Sequence, residues 1–247
     1  MDWHARFIQQ ASWTHHLRDY LFARVGLADA PRVLEVGCGT GALLAELPAR
    51  THAAIHGLDI EPRHLAEAHF HAPAAFLTHG DVQALPYTSY VFDITFCHYL
   101  LLWVRDPLQA LGEMRRVTCQ GGHVLALAEP DYSKRIDRPE VLAPLGRWQR
   151  ESLLQQGADA DIGGRLVGLF TQAGIKVLEA GTLQREGMKP STAEERELEW
   201  VVLEADLNGF IPEEEIRAMK RLDGQAWKHG ERLLYVPTFF ACGVVTT

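Results

Sequence analysis

The run Val33-Leu-Glu-Val-Gly-Cys-Gly-Thr-Gly41 constrains this chain more than any other feature. A short apolar segment stops at Gly37, Gly39 and Gly41, and a helical pattern from Ala42 to Leu47, closed by Pro48, follows. Glycine permits the tight backbone turn, and the missing side chain lets the main chain approach a ligand closely. A plain strand-to-helix connection has no need of so many glycines. The segment therefore reads as a binding loop between a buried strand and a helix, with Cys38 inside it.

The same order recurs downstream. Ala53–Leu58 predicts a second strand ending at Asp59, and Glu61–Phe70 a helix with Pro62 in its first turn. Strands follow near Ala74–Leu77 and Val91–Phe96. Asp106-Pro107 is an N-cap and first-turn proline for a helix over Leu108–Val117, and Gly121-Gly122 is read as the turn before strand His123–Ala128. Alternating strands and helices predict an α/β fold with a doubly wound, mostly parallel sheet and helices on both faces. Such sheets bind ligands just beyond the carboxyl ends of their strands. Upstream, Trp3 to about Val25 has helical periodicity. Downstream, Pro139–Gln156 and Ile162–Ala173 read as helices, Ile175–Leu183 as a strand, 186–230 as two more helical stretches and Leu233–Val245 as a closing strand.

Composition narrows the function. The 247 residues are 47% apolar and carry a formal net charge of -8, which suits one α/β domain and not a binder of phosphate backbones. The expected organisation is one domain over 1–247: an N-terminal helical cap (1–30), a cofactor-binding core (31–129) and a C-terminal half (130–247) with a helical insertion at about 186–230. No run approaches the roughly 20 apolar residues of a membrane span, and Met-Asp-Trp-His-Ala-Arg does not read as a signal peptide, so a soluble, cytoplasmic protein is expected. Cys38, Cys97, Cys119 and Cys242 lie far apart, and neither His52/His56 nor His64/His69/His71 has convincing ligand spacing, so no metal is expected.

Three acids around the loop speak to the ligand. Asp59 ends the second strand, where a carboxylate accepts ribose hydroxyls of either a dinucleotide or another nucleoside cofactor. Glu35 lies two residues before Gly37. A carboxylate there repels a pyrophosphate but suits a ligand bearing an ammonium and a sulfonium. Gly80-Asp81-Val82 adds an acid after the third strand. Gly37-x-Gly39-x-x-Ala42 also satisfies the loose dinucleotide pattern, so an NAD(P)-dependent oxidoreductase is the rival reading.

Taken together, the set resembles the class I S-adenosylmethionine-dependent methyltransferases, in particular the small-molecule and quinone methyltransferase branch. The Val33–Gly41 run is similar to that family's first motif. Gly57-Leu-Asp-Ile60, Gly80-Asp-Val-Gln-Ala-Leu-Pro86 and Phe92-Asp-Ile-Thr-Phe96 resemble its next three elements in order. Leu111-Gly-Glu-Met-Arg-Arg-Val117 with Gly121-Gly122 resembles the helix and turn before strand five, and the likeness extends from about Pro31 to Glu129. It implies a Rossmann-like seven-stranded sheet whose last strand is antiparallel, with S-adenosylmethionine as cofactor. It further implies that the backbone at Gly37 and Gly39 holds the methionyl part near Glu35, that Asp59 takes the ribose hydroxyls, and that Ile60 packs on the adenine. Asp81 and the Val82 amide then meet the adenine edge, and His98 borders the reaction centre.

The implied activity is methyl transfer to a small-molecule acceptor, with a non-catalytic cofactor-binding protein as a further alternative. His98 is the first candidate for a general base, followed by Glu129, Asp131 and Tyr132. For each a structural role stands beside the catalytic one: a core histidine for His98, a turn cap for Asp131, packing for Tyr132. Trp3, Trp13, Trp103, Trp148 and Tyr132 are candidate pocket walls. The N-terminal helix and the 186–230 insertion are expected to form a lid over the site.

Overall fold

The computed structural model describes residues 3–183 and 192–246. Five parallel strands, β1 (Arg32–Val36), β2 (Ala54–Asp59), β3 (Phe76–His79), β4 (Phe92–Cys97) and β5 (Thr118–Pro130), form most of the sheet. β7 (Ile175–Thr182) and β9 (Thr238–Val245) complete it in the order β3-β2-β1-β4-β5-β9-β7, with β9 antiparallel to both neighbours. This is the expected doubly wound arrangement, and the strand order reverses between β1 and β4, the point beyond whose carboxyl ends such sheets bind ligands.

The central strands are buried on both faces. On one face Leu34, Val36, Val124 and Ala126 pack against α4 (Pro107–Val117) and α6 (Leu166–Gln172) through Leu111, Met114, Leu166 and Phe170. On the other, Val33, Leu125 and Leu127 meet α2 (His15–Arg24) through Leu21 and Phe22. α3 (Pro62–His71) and α4 start as expected. Glu61 accepts from the Arg63 N–H, Asp106 accepts from the Gln109 N–H, and each helix has proline in its first turn. Beyond the sheet, α5 (Ala143–Gln155), α7 (Ala193–Leu207) and α8 (Glu213–Lys228) build a separate cluster around Leu145, Trp200, Leu203 and Ile216. Residues 186–191 of the expected insertion lie outside the described residues.

Four elements differ from expectation. The N-terminal helix is two helices, α1 (Trp3–Trp13) and α2, broken at Thr14. The Ala11 carbonyl accepts from the Thr14 N–H, the Thr14 hydroxyl and Arg18 Nη1, so side chains take up the bond a continuing helix would use. After the glycine loop, Leu44–Ala49 is a 3₁₀ turn rather than an α-helix from Ala42. Gly121-Gly122 does not precede β5 but lies within it. Gly121 has φ +78°, and a Cβ on Gly122 would stand 2.7 Å from the Asp93 carbonyl, so the pair makes a bulge. Finally, Leu233–Val245 is interrupted at Pro237, which offers no N–H. β8 (Leu233–Tyr235) leaves the main sheet and pairs with β6 (Ile136–Arg138) in a small ribbon.

Candidate active site

Two adjoining features lie beyond the carboxyl ends of the strands: the glycine loop after β1 and a cavity beyond β4 and β5. In the loop, Gly37, Gly39 and Gly41 have φ of +70°, +52° and +80°, a region where other residues are strained. Their faces are used by the protein itself. A Cβ at Gly37 would stand 2.6 Å from Leu100, and one at Gly39 would stand 2.9 Å from the ring of Phe7 on α1. Cys38 is buried, and its N–H and that of Gly37 both donate to the Leu58 carbonyl.

Asp59 braces this loop. Its Oδ2 accepts from the Gly39 N–H at 2.8 Å and its Oδ1 from the Glu61 N–H at 2.9 Å. Burial pushes the carboxyl up, but hydrogen bonds from His64, Glu61 and Gly39 outweigh it and hold the group below the usual carboxylate range. Glu35 is the opposite case. It is buried beneath the loop, and its Oε2 has no hydrogen-bond partner. Burial raises its carboxyl far above the usual range, although the Arg18 guanidinium pulls it down. A buried carboxylate oxygen without a donor is costly, and a cationic ligand would relieve it.

Ile60, directly after Asp59, is 64% exposed, an apolar side chain without cover at the edge of the cleft. Asp81 accepts from the Gln83 N–H at 2.8 Å and so caps the short turn that begins at buried Val82. These residues fit a nucleoside cofactor with an amino-acid tail. The orphaned Glu35 oxygen would suit a positive charge, Asp59 would accept from ribose hydroxyls, and Ile60 would offer an apolar face to a base.

His98 follows β4, with its Nε2 3.0 Å from the Thr14 hydroxyl. Burial, followed by the Arg18 charge, pushes the imidazole down to about 3. Such a ring is neutral at physiological pH and a weak base. Glu129 ends β5 fully buried, and its carboxylate accepts from the Leu100, Leu101 and Leu102 N–H groups. Burial lifts it to about 7 against those bonds, and its oxygens clamp the loop after β4. Asp131 accepts from Ser133 and Lys134 and so caps a 3₁₀ turn. Arg18 was not foreseen. It is 1% exposed, bonds Glu46 through Nη2 at 2.9 and 2.7 Å, and ties α2 to the turn after the glycine loop.

The cavity holds about 140 Å³. Trp13 and Tyr132 line it, as does Tyr99, whose φ of +53° is unusual for a tyrosine and whose N–H donates to the Ala128 carbonyl. Trp200, Trp227 and Tyr235, none singled out in the sequence, complete the aromatic wall. Trp3 and Trp103 are exposed at 38% and 51%, and neither Trp103 nor Trp148 faces the cavity; Trp148 packs in the α5–α7–α8 cluster. Among the described residues no group of three or more His, Cys, Asp or Glu side chains is gathered as for a metal ion, and no helix is long and apolar enough to cross a membrane.

Residues 34–126, which carry the loop and the strands that brace it, match a family model described as "Methyltransferase domain". Residues 34–126 are therefore similar to a methyltransferase domain. Relatives of this domain include a malonyl-[acyl-carrier protein] O-methyltransferase of Erwinia pyrifoliae, 30% identical over 61% of this chain and 59% of that one. A trans-aconitate 2-methyltransferase of Methylobacterium nodulans is 38% identical over 45% of this chain and 43% of that one. A ubiquinone biosynthesis O-methyltransferase of Vibrio cholerae is 33% identical over 43% and 45%. The chain thus spans about half the length of the curated relatives it matches. Among solved structures, a geranyl diphosphate C-methyltransferase of Streptomyces coelicolor shares the fold with a TM-score of 0.60 at 11% identity, covering 94% of this chain and 79% of that one. The [4+2]-cyclase SpnF shares it with a TM-score of 0.61 at 19% identity, covering 94% and 80%. The fold shared with these structures covers 94% of this chain and so extends past the matched 34–126 region.

Proposed function

We propose that this chain transfers a methyl group from S-adenosylmethionine to a small-molecule acceptor held in the aromatic cavity. The observation that carries this reading is the unpartnered oxygen of buried Glu35 beneath the glycine loop. It suits the ammonium and sulfonium of this cofactor and opposes the pyrophosphate of a dinucleotide. Glu35, Gly37, Cys38 and Gly39 would hold the methionyl part, Asp59 the ribose, and Ile60, Asp81 and Val82 the adenine. The relatives' names, which cite malonyl-[acyl-carrier protein], trans-aconitate and ubiquinone biosynthesis, support small or carrier-linked acceptors.

The bound cofactor supplies a methyl group made electrophilic by its sulfonium. The protein's part is to orient the acceptor in line and keep water out, and orientation alone lowers barriers by roughly 7–11 kcal/mol in the best intramolecular models. Trp13, Tyr99, Tyr132 and Trp200 shape and dry the cavity, with α1, α7 and α8 as its lid. His98 stays neutral at the border of the methionyl site and serves as a wall, because a ring pushed down to about 3 accepts protons poorly. Glu129 holds the loop that carries Tyr99 and Leu100, and no dedicated base is required.

Calorimetry with S-adenosylmethionine and S-adenosylhomocysteine tests the reading, with micromolar dissociation constants expected. Heat with NADH and none with either of these compounds would replace it with the oxidoreductase. Binding without methyl transfer to any acceptor or cell extract would leave a cofactor-binding protein.

A further inference from the structure

The cavity wall contains three guanidinium groups in different electrostatic states. Arg135 is paired with Asp137 and Gln149, and Arg232 with Asp137 and Asp223. Arg6 on α1 is not paired in this way. It is 9% exposed, its Nη1 donates to the neutral Gln9 amide oxygen at 2.6 Å, and its guanidinium carbon lies 4.8 Å above the Trp13 ring. Its Nε is buried without a partner; Glu199, which also lines the cavity, and Asp206 attract the guanidinium, but neither forms an ion pair with it. Asp206, an acid on the same side, accepts from Gln149 instead.

The arrangement is preorganised. Gln9 is itself fixed by donating to the Glu195 carbonyl at 2.9 Å, and the Trp13 ring lies against the guanidinium. Among the described residues no hydrogen bond engages Nε or Nη2, and that edge is a planar fork of the kind that matches a carboxylate in bidentate fashion. A buried cation with an unmet donor is costly, and a neutral occupant would leave it so. The cavity, about 140 Å³, is close to the engineered cavity of about 150 Å³ that takes up benzene.

We propose that this cavity takes a small carboxylic acid, one ring or its equivalent in size, with its carboxylate on the Nε–Nη2 edge of Arg6. The inference rests on the reading of the cavity as the acceptor site, and Arg6 is then a residue that determines acceptor specificity.

The test uses the full chain saturated with S-adenosylhomocysteine. Benzoate, phenylacetate, cinnamate and salicylate are titrated by calorimetry, each against its amide. At least one acid should bind about tenfold or more tightly than its amide, the weight of one charge-assisted contact. Arg6→Gln should erase the preference while retaining affinity for S-adenosylhomocysteine, which also reports that the variant is folded. Should that variant not fold, Arg6→Lys decides, because it keeps the charge and loses the fork, and the preference should fall. No preference for any acid, or a preference that survives the Arg6 substitution, overturns the inference. Intact S-adenosylhomocysteine binding in that case leaves the methyltransferase reading standing. A chain that binds no S-adenosylhomocysteine removes that reading, and the acid–amide comparison on the same protein still decides the role of Arg6.

Discussion

Asp59 commits both carboxylate oxygens to backbone donors, Gly39 to Oδ2 and Glu61 to Oδ1; His64 Nδ1 stands 3.6 Å from Oδ1, and Oδ2 retains a further lone pair. Asp59→Ala therefore removes the ribose acceptors and the brace of the glycine loop together. Hydrogen bonds to a charged group are worth about 1.5–3 kcal/mol each. Affinity for S-adenosylhomocysteine should fall by about a hundredfold or more, with Asp59→Asn intermediate, and calorimetry reads both; an unchanged affinity would place the ribose elsewhere. His98 carries a second residue-scale prediction. Its folded imidazole is pushed down to about 3 by burial and the Arg18 charge, whereas an unfolded chain takes up a proton near 6.5. The unfolded state thus binds more protons between these values, so the stability His98 contributes is present above pH 6.5 and is lost as pH falls toward 3. His98→Asn removes that titration. Urea unfolding at pH 7, 6 and 5 should show the gap between the two proteins closing by up to about 1.4 kcal/mol per pH unit. A gap that is constant with pH would mean the ring titrates normally.

At the scale of elements, the strands and their first helical turns were legible because their signals are local: apolar runs, Pro62 and Pro107 in first turns, and acids at N-caps. The helix break at Thr14 was not, since it depends on Arg18 reaching back to Ala11 while gripping Glu46 across the fold. The acidic start of α8, Glu213 to Glu215, is exposed. Its inner side, however, carries Asp223 into a buried chain. Asp223 accepts from the Trp200 indole on α7 at 2.9 Å and pairs with Arg232, which also pairs with Asp137 on β6 at 2.6 Å. The chain ties α7, α8 and the small β6–β8 ribbon together at the back of the cavity. Breaking one member of a buried pair typically costs about 3–5 kcal/mol, because the other charge is stranded. Asp223→Ala should cost toward the lower end of this range, since Asp137 still holds Arg232, and denaturant unfolding reads it. A loss well under 1 kcal/mol would mean that water replaces the carboxylate freely.

For the whole molecule, the two halves of the site were unequally legible. The residues proposed for the cofactor, Glu35, Asp59 and Asp81 among them, lie at or just past the ends of their strands, where the alternating pattern points. The cavity draws on Arg6, Tyr99, Tyr132, Trp200, Trp227 and Tyr235, and no local pattern joins positions so far apart. Helix α1 is shared by both halves. His4 and Phe7 face the glycine loop, through a 2.8 Å contact from His4 to the Thr40 hydroxyl and the approach of Phe7 to Gly39, while Arg6 and Trp13 face the cavity. A ligand seated on the loop therefore bears on the helix that walls the cavity. α1 is short, joins α2 through the Thr14 break, and has few fully buried side chains, so it belongs to the part of the fold that opens at low cost. A ligand that binds only the closed form multiplies protection by up to 1 + [L]/Kd, about a hundredfold at 100 times Kd. Hydrogen exchange with saturating S-adenosylhomocysteine should accordingly slow the amides of α1 together with those of the glycine loop, while the amides of β7, at the sheet edge beyond β9, stay as they were. Slowing at the loop with unchanged or faster exchange in α1 would mean that the helix is displaced by the cofactor and does not close over it.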